Sequence, residues 1–252
     1  MQKCQISISS ITCTKLYNLS SLMISNIFLT FKSIIFWANL VLSVLLFGSI
    51  AFTLGLFSYE LCLFISKLWC RYNIYFLRYV CSLKYELRGP ELGKHSVIIS
   101  RHQSAWETIF YAAFIERPIF ILKKELLMIP LFGWCLYLLK NISIDRSDGI
   151  SSLKKIMRCC DDHINNGRTL IIFPEGTRVP YGTNIDIKKG VLKIIDSLKL
   201  PSIIVNHDAG KFWNKNSLLI KPGIITIDTL SLEYNSDQSF VKKTIQKHFE
   251  QV

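Results

Sequence analysis

From Ser33 to Tyr59 the sequence holds no lysine, arginine, aspartate, glutamate or histidine. About 20 apolar residues are enough for a helix to cross the hydrocarbon core, so this absence excludes an ordinary solvent-facing helix. The segment 33–66 is read as membrane-associated. Gly48 and Gly55 interrupt the run, and a second apolar stretch, 61–66, follows behind Glu60 alone. A helical hairpin dipping into one leaflet therefore fits as well as a span. A cleaved signal peptide fits poorly, because the run is too long and begins too late. Residues 1–32 lack any acidic side chain and are rich in serine; they are expected to be a poorly ordered leader, with Met23 a conceivable true start. Residues 67–252 remain for the working domain.

Other absences narrow the function. The eight cysteines contain no Cys-x-x-Cys pair, and none has a histidine at metal spacing, so no zinc site is signalled and they read as reduced small hydrophobes. The net charge of +12 would suit nucleic acid, an anionic lipid surface or an anionic small substrate. No zinc-finger spacing, helix-turn-helix signature or aromatic RNA-binding motif accompanies it, which leaves the lipid surface and the anionic substrate. No repeat or inner linker divides the chain, so 252 residues are expected to form one domain with an N-terminal appendage.

What is present turns α/β after residue 83. The runs 96–100, 119–122, 169–173 and 202–205 are short and rich in β-branched residues, as buried strands are, and 217–230 reads as a hairpin broken at Pro222-Gly223. Helices are expected over 104–115, 151–166 and 238–249. The fold class is α/β: a single layered domain whose mixed β-sheet is flanked by helices, preceded by the membrane-associated helical segment. Half of all residues are apolar and the mean hydropathy is +0.31. The larger group of basic residues, from Lys67 to Arg88, follows the uncharged run and would keep the domain on the cytoplasmic side of a membrane.

Two stretches carry chemistry. In Ser100-Arg101-His102-Gln103-Ser104-Ala105-Trp106-Glu107 a strand ends and a helix begins. Ser104 and Glu107 have the spacing of a capping box, yet a histidine at a strand end with a carboxylate to fix its tautomer is also what a general base requires. Spacing alone leaves both readings open. In Phe173-Pro174-Glu175-Gly176-Thr177-Arg178 a glycine lets backbone amides approach an anion, a threonine offers a hydroxyl, and an arginine offers a planar fork for phosphate. A simple Pro-Gly turn has the same composition.

Together, some seventy residues apart, "HQSAWE" and "FPEGTR" resemble the two signature motifs of the glycerolipid acyltransferases, and "KKELLMIPLFGW" (123–134), "IDRS" (144–147) and residues 200–213 resemble the blocks around them. The resemblance covers about 84–225 and points to the bacterial 1-acylglycerol-3-phosphate acyltransferases. It departs from them at Glu107, where many members carry aspartate, and at Ile204, where a second proline is usual.

The resemblance implies transfer of a fatty acyl group from acyl-CoA or acyl-carrier protein to the 2-hydroxyl of lysophosphatidate, giving phosphatidic acid in phospholipid synthesis. His102 would be the base and Glu107 its orienting acid. Arg178, Gly176 and Thr177 would hold the acceptor phosphate, Glu175 would contact the glycerol or fix the loop, and Lys123 and Arg146 are further candidates for anionic groups. No acyl-enzyme is needed, in keeping with the missing Gly-x-Ser-x-Gly elbow, and no metal or cofactor is implied. Membrane lipids are the expected partners and the cytoplasmic side of a cell inner membrane the expected location. A membrane-bound thioesterase, or transfer to another lysophospholipid, is the alternative. His207 and Asp208 read as a surface turn.

Overall fold

The expected β-branched runs, joined by two strands the sequence did not signal, β1 and β4, pair into one seven-stranded sheet: β1 Leu83–Arg88, β2 Val97–Ser100, β3 Pro118–Lys123, β4 Ile142–Ile144, β5 Thr169–Ile172, β6 Ser202–His207 and β7 Gly223–Leu232, in the order β1-β7-β6-β2-β5-β3-β4. The computed structural model describes residues 3–145, 148–183, 187–233 and 237–251, with side chains from 26 onward except 94, 150 and 161. Every neighbouring pair is parallel except β6 and β7, so the sheet is mixed as expected. β2, β5 and β6 sit in the middle and are covered on both faces, which is why they read as continuous apolar runs rather than alternating ones.

Side chains of the central strands alternate between two cores, as the period of two requires. Ile98, Ile171, Ile203 and Val205 face α2 (Tyr59–Val80) and α3 (Trp106–Phe114), where Leu77, Trp106 and Phe110 bury against them. Ile99, Ile172 and Ile204 face α5 (Gly149–Asn165), α6 (Lys189–Leu198) and α8 (Gln238–Phe249), with Ile156, Leu192 and Ile245 filling the space. α5 and α8 stand within two residues of their expected positions; α4 (Phe132–Leu138), α6 and the single turn α7 (Ala209–Phe212) were not expected.

α1 runs from Lys3 to Gly55, through the stretch read as a leader, and the turn 56–58 returns the chain into α2. The physical reason is composition: no proline occurs before Pro90 and no glycine before Gly48, so nothing breaks the helix. α2 continues straight through residue 66. Phe36 of α1 and Cys70, Ile74 and Leu77 of α2 bury in the same core as Trp106, so the helical pair and the sheet share one interior. Residues 26–55 are long and apolar enough to cross a membrane, and little of that stretch is buried.

The expected hairpin over 217–230 is corrected. Only Gly223–Leu232 is a strand, and it pairs with β1 and β6. The preceding residues are tied to helices instead: Ile220 N donates to Ser33 Oγ (3.0 Å), Trp37 Nε1 to Leu218 O (2.8 Å) and Lys221 N to Phe212 O (2.9 Å). Gly223, at φ 156°, is where a side chain does not fit, because a Cβ there would lie 2.1 Å from the Phe212 ring.

Candidate active site

Because β2, β3, β4, β5 and β6 run parallel, their C-terminal ends gather at one edge of the sheet. His102 follows β2, the Phe173–Arg178 motif follows β5, His207 ends β6, and Lys123 ends β3. Residues far apart in sequence therefore meet at the edge where open α/β sheets place their ligands. Arg146, two residues past β4, lies outside the described residues.

The turn after β2 is organised by one carboxylate. Glu107, wholly buried in the first turn of α3, accepts through Oε1 from His102 Nδ1 (2.9 Å), Gln103 N (2.9 Å) and Ser104 N (2.8 Å), and through Oε2 again from Ser104 N (3.1 Å). Both readings of the stretch thus hold at once: the carboxylate reaches back to the backbone as a cap does, and it also orients the imidazole. Ser104 departs from a regular cap, since α3 begins two residues later and its hydroxyl accepts from Trp106 N (3.2 Å). Burial pushes the Glu107 carboxyl up. The hydrogen bond from His102, the charges of His207 and His102 and the Ser104 amide outweigh burial and hold it below the ordinary carboxylate range.

A carboxylate on Nδ1 fixes the imidazole with its proton on that nitrogen and leaves Nε2 as the acceptor. Nε2 makes no hydrogen bond among the described residues. The ring stacks on Phe173, centroids 4.1 Å apart, and is partly exposed to a cavity of about 900 Å³. That cavity is lined mainly by apolar side chains from α1, α2, β3 and residues 126–139, completed by α3, α5 and α6, with His102, Lys67, Lys123 and Lys188 among its few polar boundaries.

The Phe173–Arg178 loop is bound to the histidine turn rather than merely near it. Glu175 Oε1 accepts from His102 N (3.0 Å), and Val179 N donates to His102 O (2.8 Å). Of the two roles open to Glu175, contacting glycerol or fixing the loop, the structure displays the second. Burial pushes the Glu175 carboxyl up to about 8, so at neutral pH it is a neutral acid whose Oε2 is buried without a partner among the described residues. Gly176 has φ +68°, a conformation that favours glycine, and the flexible end of the Lys188 side chain lies over it, 2.9 Å from where a Cβ would stand. Thr177 is exposed and Arg178 half-buried, the Arg178 guanidinium making no hydrogen bond or ion pair among the described residues. Lys123 is exposed beside the cavity, while the adjacent Lys124 pairs with Asp145.

The expectation of a surface turn at 207–208 is corrected. His207 is buried, and its Nε2 donates to Arg101 O (2.9 Å) while Nδ1 accepts from Ala209 N (3.4 Å). Burial lowers its pKa. Asp208 accepts from Thr226 N (2.9 Å). Three supports were absent from the sequence reading. Arg101 bonds Phe249 O (2.6 Å) and Thr183 O (2.7 Å) from beneath the histidine turn, Gln103 accepts from Gly210 N (3.0 Å), and Lys188 crosses Gly176. A charged and an amide residue flanking His102 at the end of a buried strand was the available signal.

Residues 84–208, which hold the histidine–carboxylate pair and the glycine-arginine loop, match the family model described as Acyltransferase. The chain's curated relatives are 1-acyl-sn-glycerol-3-phosphate acyltransferases: that of Pseudomonas aeruginosa is 40% identical over 168 residues (65% of this chain, 65% of the relative), and that of Cocos nucifera 31% over 148 residues (58% and 48%). The chain thus spans less than two thirds of the length of those two relatives. The Helicobacter pylori protein of the same name is 29% identical over 198 residues (69% and 81%). The fold is shared with the crystal structure of the 1-acyl-sn-glycerophosphate (LPA) acyltransferase PlsC from Thermotoga maritima, at a TM-score of 0.71 and 19% identity, covering 87% of this chain and 94% of that one.

Proposed function

We propose that the protein transfers a fatty acyl group from a thioester, acyl-CoA or acyl-carrier protein, to the 2-hydroxyl of 1-acylglycerol 3-phosphate, giving phosphatidic acid. The observation that carries this reading is the His102 imidazole, held through Nδ1 by Glu107 at 2.9 Å with Nε2 turned free towards an apolar cavity. Nε2 takes the proton of the acceptor hydroxyl as its oxygen attacks the thioester carbonyl carbon. The tetrahedral intermediate then expels the thiolate, which takes that proton back from the imidazolium, and the buried charge of Glu107 stabilises the imidazolium meanwhile. The acyl chain lies in the cavity, whose volume suits a lipid tail.

Arg178 holds the acceptor phosphate, with Gly176 and Thr177 in the same loop and Lys123 and Arg146 as further cations. Glu175 keeps His102 in place by its backbone. The protein works at a membrane surface, on the cytoplasmic side where its thioester donors are. α1 is docked on the domain at both ends of its apolar stretch, Ser33 to Ile220 at one and Phe52 to Trp134 at the other. A perpendicular span would drag the sheet's edge into hydrocarbon, where its unpaired polar groups cost several kcal/mol each. α1 therefore lies along the leaflet. Burying one of its exposed side chains, such as Phe28, Phe31 or Leu42, contributes ~1.5–3 kcal/mol.

The test is product identity. Purified full-length protein given lysophosphatidate and either donor should accumulate phosphatidic acid. Release of free fatty acid at the same rate with and without lysophosphatidate would make it a thioesterase.

A further inference from the structure

The segment that follows β3 packs on the second half of α1. A Cβ on Gly48 would lie 3.2 Å from Leu131 Cβ, Cys135 Sγ donates to Gly48 O (3.6 Å), and the rings of Phe52 and Trp134 are 5.2 Å apart. Its inner side chains, Leu126, Ile129 and Phe132, line the cavity that His102 faces. Its outer face is unpartnered and apolar: Met128 is 79% and Tyr137 70% exposed, with Trp134 also open to solvent. Residues 126–139 contain no charged side chain; exposed Lys123, Lys124 and Glu125 precede them, Lys124 paired with Asp145, and exposed Lys140 follows. At the hairpin turn of the adjoining α1, Phe57 is 85% exposed.

We propose that residues 124–140 are a second membrane contact, immersed in the interfacial layer of an anionic leaflet beside α1, and that lipid chains pass between leaflet and cavity there. An apolar strip continuous with the uncharged length of α1, carrying tryptophan and tyrosine and bracketed by lysines, has the chemistry of a bilayer interface rather than of a protein partner. Its position explains the cavity: the residues that would touch lipid outside, Met128, Trp134 and Tyr137, are interleaved with those from Leu126 to Leu139 that line the inside. The passage of substrate rests on the acyltransferase reading; the contact with the bilayer does not.

Two measurements on the full chain separate these. On vesicles of phosphatidylcholine and phosphatidylglycerol brominated near the top of the acyl chains, the tryptophan emission that Trp134→Phe removes should be quenched. The double substitution Met128→Asp with Tyr137→Asp should raise KM several-fold for long-chain lysophosphatidate presented in those vesicles, leaving kcat and the kinetics with monodisperse short-chain lysophosphatidate unchanged. Emission from Trp134 that is blind to the bromines overturns the contact, and an equal loss on both substrates overturns the passage. A wild-type protein that makes no phosphatidic acid refutes the acyltransferase reading, while the quenching still decides the contact.

Discussion

Glu107 concentrates more of the site's chemistry than any other side chain, because four hydrogen bonds from three residues converge on its two oxygens. Glu107→Gln keeps an acceptor at Oε1 for the histidine and both amides. It removes the charge that favours imidazolium and turns an amide NH2 towards Ser104 N. Acyl transfer should fall by about 10²–10⁴-fold while circular dichroism and membrane binding stay as in the wild type; full activity would reduce Glu107 to a helix cap. Glu175 behaves in the opposite way. Its folded pKa of about 8 lies above the ordinary 4.5, so the folded state holds the extra proton, and this group's contribution to stability is complete below pH 4.5 and lost as pH rises through 8. Glu175→Gln, which mimics the neutral acid, should match the wild type in urea unfolding near pH 5 and be the more stable of the two at pH 9. Parallel pH profiles for both proteins would contradict the neutral-acid assignment. At Arg178, substitution by lysine supplies a point charge without a planar fork. The loss should fall on KM for lysophosphatidate, and equal wild-type kinetics with a neutral monoacylglycerol would remove the phosphate role.

Elements decide how these residues meet, and here the sequence was legible in part. The two motifs could be placed at strand ends, because β2 and β5 are unbroken β-branched runs, and a parallel sheet then brings their ends together without further information. His207 was misread for a local reason: Asn-His-Asp-Ala-Gly has the composition of a turn, and only the pairing of β6 beside β2 buries it beneath the histidine turn. The false hairpin at 217–230 has the same cause. Two β-branched runs around Pro-Gly satisfy a local rule, but the donors of 218–221 find Ser33 and Phe212, and the Leu218 carbonyl finds Trp37, contacts that no window of sequence contains. Helix α4 escaped because its seven residues give less than two full turns of pattern. The role of α1 and α2 as core elements follows from Phe36 and Leu77, each fully buried. Phe36→Ala should cost about 3–5 kcal/mol of stability, measured by denaturant unfolding in detergent. Removal of residues 1–66, a cut inside α2, should leave an aggregating domain rather than a soluble enzyme; a folded, active fragment would show that the helical pair is only an anchor.

On the proposed reading the whole molecule is a sheet whose working edge faces a leaflet, with a lipid-sized cavity between that edge and a helix that would lie along the membrane. A net charge of +12 would, on that reading, draw the protein to anionic lipid and concentrate an anionic acceptor near the site, so turnover in vesicles should fall as salt rises. Detergent micelles without anionic lipid should show little of this dependence. All of this depends on one proton acceptor. The most direct measurement is therefore the rate at which purified full-length His102→Ala, reconstituted in lipid vesicles, forms phosphatidic acid from lysophosphatidate and an acyl thioester. The account predicts a protein with wild-type melting temperature and membrane binding whose rate is lower by about 10²-fold or more. Phosphatidic acid formed at the wild-type rate by that variant would contradict it.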